Sequence, residues 1–295
     1  MVSTDAAGRS GVTIVVVTLS IRWTDRKRLG VGAVGVAYAL AALAVAQVEG
    51  AGTYAGRSGA AVALVVVAGM SLIVGGLVVM SFEPVRRLGE LAVLAGFAWF
   101  APVWEGWHGG PPIVRCLGML VSGFTLALLV HLILAYPTGG VTSRIDRLLV
   151  SAVYLEAVLV AIGGALFRDP FFDPNCWSNC TDNVFLVRSL PGLARAIVLT
   201  DQWFTVAAAT ALIVSVSWRL ATGSGSARRA LVPIVAPTVM LAGAIWGRAV
   251  ALQGTPVEDP ADPLFFTAFA VGTVGVILLA LAVVAAIGWS IAVRA

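Results

Sequence analysis

The chain has 295 residues, 59% hydrophobic and only 12% charged, with a mean hydropathy of +0.97 and a formal net charge of +4. A soluble domain carries about 25% charged residues, so this composition excludes a soluble globular protein and reads as a chain used up by membrane spans and short loops. The sequence pI near 9.3 does not point to nucleic acid, because the arginines gather at the ends of apolar stretches, where membrane topology uses them.

Residues 1–28 read as a cytoplasmic N-terminal segment. The apolar run 11–21 is too short to cross a bilayer, which takes about 20 residues. It is followed by Arg22, Arg26, Lys27 and Arg28 where a secretory signal would have a small-residue cleavage site. It is therefore read as an interfacial segment or an over-extended start. Eight later stretches are long enough to cross, near 29–48, 59–81, 91–107, 116–136, 148–167, 203–221, 231–252 and 264–293. The third is short, contains Pro102 and ends at Glu105. Together these spans predict an all-α, polytopic integral membrane helix bundle of about eight transmembrane helices over 29–293.

Charge sets the expected orientation. With the N-terminus inside, the inner segments hold Arg9, Arg22, Arg26, Lys27, Arg28, Arg86, Arg87, Arg144, Arg147, Arg219, Arg228, Arg229 and Arg294. The outer side keeps Arg57, Arg115, Arg168, Arg188, Arg195 and Arg248, with Asp169, Asp173, Asp182, Glu258, Asp259 and Asp262 among them. This positive-inside split predicts both termini in the cytoplasm and one long extracytoplasmic loop at 168–201. The expected location is a bacterial inner membrane.

Ionisable side chains at membrane depth are costly and mark candidate sites. His131 lies in the apolar run before Tyr136-Pro137-Thr138-Gly139-Gly140, Glu156 lies inside the fifth span, and Glu105 lies near the outer end of the third. His131 and Glu156 sit at similar depths on consecutive antiparallel spans, which makes a paired contact between them testable. His131 and His108 are the only histidines; His108 falls in the outer loop before the span that carries His131, roughly 30 Å away by helix rise, too far to share a haem. Cys176 and Cys180 share one outer loop, an arrangement expected for a disulfide in an oxidising compartment. Thiol exchange is the sharper alternative and a metal site the remotest. Cys116 reads as a small packed hydrophobe. Trp99, Trp104 and Trp107 read as an aromatic belt, or else as the lining of a ligand pocket. Gly243 and Gly247 form a G-xxx-G that suits close helix packing. No Walker lysine, Gly-x-Ser-x-Gly or His-Glu-x-x-His motif occurs, so no catalytic motif, cofactor or metal is expected.

One ordered series carries a resemblance: AWFAPVWEGW at 98–107, GML at 118–120 and LLVHLILAYPTGG at 128–140, RIDRLLVSAVYL at 144–155, the DP at 169–170, C-x3-C, NVFLV at 183–187 and RRALVPIVAP at 228–237. It resembles the N-terminal multi-span membrane region of actinobacterial sensor histidine kinases, most closely over about 90–240. In that family such a region precedes a phosphoacceptor helix and an ATP-binding domain. The sequence ends at Arg294-Ala295, before any such core, and no catalytic residue carries over. What the resemblance implies is a membrane signal-input module of a two-component system, its kinase core lying in a separate or missing part. The partners it implies are the lipid bilayer, a second copy in a homodimer, and a separate kinase core or response regulator. A small-molecule permease and a thiol-redox membrane protein are the alternatives.

Overall fold

The computed structural model describes residues 26–49, 53–107, 109–172, 182–254 and 258–292. Among these residues there is no strand, and nine α-helices follow in order: α1 (Arg26–Glu49), α2 (Gly59–Val79), α3 (Arg86–Trp99), α4 (Ala101–Glu105), α5 (Pro112–Ala135), α6 (Arg144–Phe167), α7 (Pro191–Thr222), α8 (Gly225–Gly254) and α9 (Pro263–Ala292). All but α3 and α4 are long and apolar enough to cross a membrane, which makes seven such helices among the described residues. In hydrocarbon only structures that satisfy every backbone group internally are stable, and helices do so. The chain is thus a multi-pass membrane protein built as a helix bundle.

The helices pack in a closed circuit. Each leans on the next in the chain, and α9 returns to lie against α2 as well as α8. Helix α1 sits outside the circuit on α2 and α4. Half of the α2 and α9 spans is buried against 17% for α7, so α2 and α9 form the inner wall while α6 and α7 present apolar faces outward. Leu155, Leu159 and Ile162 on α6 and Val214 and Trp218 on α7 are exposed in this way, as lipid contact requires.

The third stretch is the irregular one. Helix α3 returns along α2 with backbones nearly touching at Gly76 and Gly89. Further along, the Trp99 Nε1–H donates to the Val65 carbonyl at 3.2 Å, and Gly106 reaches Thr53 in the loop before α2. The break at Phe100 follows from Pro102, which lacks an N–H for the Ala98 carbonyl. That carbonyl is taken instead by the Thr125 hydroxyl from α5 at 3.0 Å. A neighbouring threonine thus restores the backbone bond that the proline removes.

The turns at 80–85, 136–143 and 223–224 lie at one end of the bundle, called the Pro137 end. The turns at 53–58, 106–111 and 258–262 lie at the other, called the Glu258 end. At the Pro137 end, Arg219 of α7 donates to the carbonyls of Leu134 at 3.2 Å and Tyr136 at 2.8 Å, closing the open C-terminus of α5. Asp146 in the first turn of α6 is 5% exposed, accepts the Ser215 hydroxyl of α7, and lies within electrostatic reach of Arg219. Gly139 has φ +80° and donates its N–H to Ala135 at 2.8 Å. A side chain there would be strained, and its Cβ would stand 2.9 Å from the Leu88 nitrogen. The Tyr-Pro-Thr-Gly-Gly segment is therefore a structural corner joining α5, α3 and α7.

Candidate polar site between helices α6, α7 and α8

Helix α6 carries Glu156 about midway along its length, about 16 Å from its Phe167 end at the usual rise per residue. Helix α7 begins at Pro191, where a proline is well placed because its missing N–H is unused in the first turn. Part of the segment expected as loop at 168–201 is thereby helical, and Asp201 lies about 15 Å into α7. Glu156 and Asp201 come to the same depth from neighbouring helices, within electrostatic reach of each other. Asp201 also accepts the Thr205 hydroxyl at 3.3 Å, one turn further on. The Glu156 Oε1 is buried and meets no donor.

Towards the Glu258 end, Arg248 of α8 lies within electrostatic reach of Asp201 and pairs with Glu258 at 2.7 Å. The other Glu258 oxygen accepts the Tyr54 hydroxyl at 2.6 Å. The Tyr54 ring stacks on Phe269 of α9, centroids 5.1 Å apart. Arg248 is 58% exposed while joined to this network. Burial, reinforced by the neighbouring Glu258 charge, pushes the Tyr54 hydroxyl well above its ordinary value. A group raised on folding contributes stability below its unfolded value and loses it as pH climbs through the range up to the folded one. Wild-type stability should therefore fall with pH above about 10 more steeply than that of Tyr54→Phe, as thermal melts at stepped alkaline pH would read.

A second polar group lies nearby. The Glu105 carboxylate at the end of α4 faces the Ser122 hydroxyl at 3.5 Å, its backbone carbonyl accepts Arg115 Nε at 3.0 Å, and its surroundings include Arg168 and Glu258. Asn183 closes the C-terminus of α6, its amide donating to the carbonyls of Gly164, Ala165 and Arg168 at 2.9 to 3.3 Å.

The other sequence candidates fall elsewhere. His131 does not meet Glu156. Its Nδ1 lies 3.2 Å from the Tyr154 hydroxyl with the rings edge to face. Residues 154 and 156 differ by about 200° around the helix, so Tyr154 meets His131 while Glu156 lies on another face of α6. Trp99 packs between α3 and α2. Trp104 stacks on Tyr38 at 5.3 Å and meets Trp107 edge-on at 5.9 Å. These rings fill the space beside α1, and the Trp104 indole N–H is buried without an acceptor. Gly243 faces open space, and a Cβ on Gly247 would make only ordinary contact with Ala268, so the G-xxx-G is not a close crossing. Cys116 is buried, its Sγ 3.8 Å from the Asp182 carbonyl and Asn183 Oδ1. Cys176, Cys180 and His108 lie outside the described residues.

Among the described residues, no group of three or more His, Cys, Asp and Glu side chains is placed to hold a metal ion. One small cavity lies between α5, α7 and α8 against Leu129, Ile133, Leu212 and Leu241, and its lining is wholly apolar. The chain matches no family model, no curated protein and no solved structure.

Proposed function

We propose that the chain is a membrane-embedded signal-input module with eight crossings and both termini in the cytoplasm. Seven long helices support the count, and the α3–α4 segment supplies the eighth because it runs alongside α2 from Gly76 to Thr53. The positive-inside charge split then puts the Glu258 end outside. A bacterial inner membrane suits such a chain.

One observation carries the signalling reading. Helices α6 and α7 bring polar groups together at two depths: Glu156 within electrostatic reach of Asp201 in the middle, and Asp146 bonded to Ser215 beside Arg219 at the Pro137 end. A change in charge at the first depth alters the packing of the same two helices at the second. Two packings of α6 on α7, with a stimulus shifting their balance, are what an input module needs. The kinase core or response regulator would then read the Pro137 end, with a homodimer as the working unit. A permease is the second reading. The mid-bundle carboxyl pair favours it, since carboxylates at that depth also serve ion pathways.

Hydrogen exchange on the full chain in nanodiscs tests the signalling reading. Asp201→Asn should change protection at 137–147 and 215–223. Unchanged exchange there, with substrate uptake in vesicles, would favour the permease. Maleimide applied to intact cells, with and without reductant, should reach Cys176 and Cys180 from outside. Labelling only after permeabilisation would reverse the orientation.

A further inference from the structure

We propose that Arg87, Arg144 and Arg147 form a binding site for the phosphate headgroup of an anionic phospholipid, set around the Tyr136–Gly140 corner at the Pro137 end. The site requires only a chain that spans the membrane, so it stands apart from the signalling reading.

These three arginines differ from their neighbours in what they leave unmade. All three are exposed, and none makes a side-chain hydrogen bond or ion pair with a described residue. Other arginines of the same end are engaged. Arg28 donates to the Ser81 hydroxyl and the Met80 carbonyl, and Arg86 is held between Glu83 and Glu90. Arg219 and Arg228 donate to carbonyls at the ends of α5 and α7. The acids nearby are occupied in the same way, Glu83 and Glu90 by Arg86 and the buried Asp146 by Ser215. The corner is left with three guanidinium groups and no free carboxylate among the described residues to answer them.

The fold brings the three to one place. Arg87 at the start of α3 lies against the corner, its Cβ 3.1 Å from where a Cβ on Gly139 would stand. Arg144 and Arg147 occupy the first turn of α6, directly after that corner. Arg147 and Tyr154 are seven residues apart and so share a face, and Tyr154 meets His131 of α5. Arg147 therefore overlooks the α5 side of α6, the side on which the corner and Arg87 lie.

The apolar residues beside them name the occupant. Arg144, Leu148, Leu155 and Ile162 fall within about 40° of one another around α6, and the three apolar ones are exposed. Arg144 thus heads a stripe that acyl chains cover. Helix α6 has 24 residues, about 36 Å of rise, which exceeds a hydrocarbon core of about 30 Å, so its first turn stands at headgroup depth. A planar guanidinium binds a phosphate through two parallel hydrogen bonds. An anionic phospholipid answers both parts at once, phosphate on the arginines and chains on the stripe. A zwitterionic headgroup brings its own cation, which three arginines repel. An acidic protein segment would match the charge but not the exposed leucines below it.

Native mass spectrometry of the full chain, released from micelles that hold phosphatidylglycerol and phosphatidylcholine, reads the site. Wild type should retain phosphatidylglycerol by more than about tenfold over phosphatidylcholine, and Arg144→Gln or Arg147→Gln should each weaken that retention about fivefold, the effect of one arginine near an anionic surface. The triple variant, with Arg87→Gln added, should retain the two lipids equally. Its thermal melt should match wild type, because these side chains make no polar contact within the fold. Equal retention by wild type, or a preference that survives in the triple variant, would overturn the proposal. A loss as large in Arg195→Gln, an exposed arginine of α7 far from this corner, would overturn it in favour of overall charge. Displacement of the lipid by glycerol phosphate at equal concentration would overturn it in favour of a soluble anion. Binding of a polyglutamate peptide that needs the three arginines, with lipid retention unchanged, would overturn it in favour of an acidic protein segment.

Discussion

Gly89→Ala is expected to destabilise the bundle by about 3 kcal/mol, the upper end for overpacking a close contact. An alanine Cβ there would lie 2.5 Å from the Gly76 carbonyl oxygen and 2.6 Å from the Met80 nitrogen. Both are backbone atoms, so no side chain can swing away and the helices must part. The reciprocal site is as tight: a Cβ on Gly76 would stand 2.7 Å from the Gly89 oxygen and 2.9 Å from the Val93 nitrogen. Gly96, two turns along α3, repeats the arrangement, with the Gly69 carbonyl 2.9 Å from its would-be Cβ. Helix association in lipid relies on such backbone approach, since lipid tails compete equally for apolar side chains. Separation would also loosen the Trp99 to Val65 bond and the break at Phe100. Gly243→Ala is the control. Its Cβ meets nothing, and in a helix interior alanine should be neutral or stabilising by up to about 1 kcal/mol. Unfolding in mixed micelles, followed by circular dichroism, measures both. Equal midpoints for the two variants would mean that α2 and α3 are not the tight crossing.

Much of this architecture is legible in the apolar runs, and what is missed has physical causes. Spans are read from composition because lipid asks only for length and hydrophobicity. Spacing along one helix, in contrast, says nothing of which helix it faces. The G-xxx-G at Gly243 and Gly247 is the pattern usually sought, yet the touching glycines are spaced by two turns on α2 and α3. The start of α7 is hidden because Arg195 and Asp201 lower the hydropathy of its first turns. The cue that remains is Pro191 at the first helical position. Asp201, Tyr54 and Arg248 are hidden for a related reason: Tyr54 sits in a loop, Arg248 near a helix end and Asp201 at the edge of the stretch expected as loop, where a polar residue needs no explanation, and only the fold brings them together. Glu156 was legible as a costly carboxyl. Its partner was not, because depth can be counted along a helix but azimuth depends on the neighbours. His131 stood out for the same cost, and Tyr154 meets it on another face of α6.

Arg219→Leu is expected to be the most damaging change at the Pro137 end, costing roughly 3 kcal/mol, since two hydrogen bonds from a charged donor are lost at about 1.5–3 kcal/mol each. Three losses coincide. The carbonyls of Leu134 and Tyr136 lose their donors. Asp146, only 5% exposed, keeps the Ser215 hydroxyl but loses its neighbouring positive charge. The α5 corner also loses its tie to α7. Arg219→Lys should recover only part of the stability, because an ammonium on a flexible stem does not present the planar fork that serves two carbonyls at once. The same size of effect is not expected at Arg147, an exposed arginine in the first turn of α6, where replacement should cost about 0–1 kcal/mol. A double-mutant cycle decides whether charge or capping dominates. If Asp146 is what suffers, Asp146→Asn in the Arg219→Leu background should return a large part of the lost stability, and the two changes will be strongly non-additive. If capping dominates, the costs will add, and the Pro137 end is held chiefly by backbone carbonyls. Strong coupling would also place a charge-sensitive contact on α6 and α7 at the end where a cytoplasmic partner would read them, joined by two helices to the Glu156–Asp201 pair.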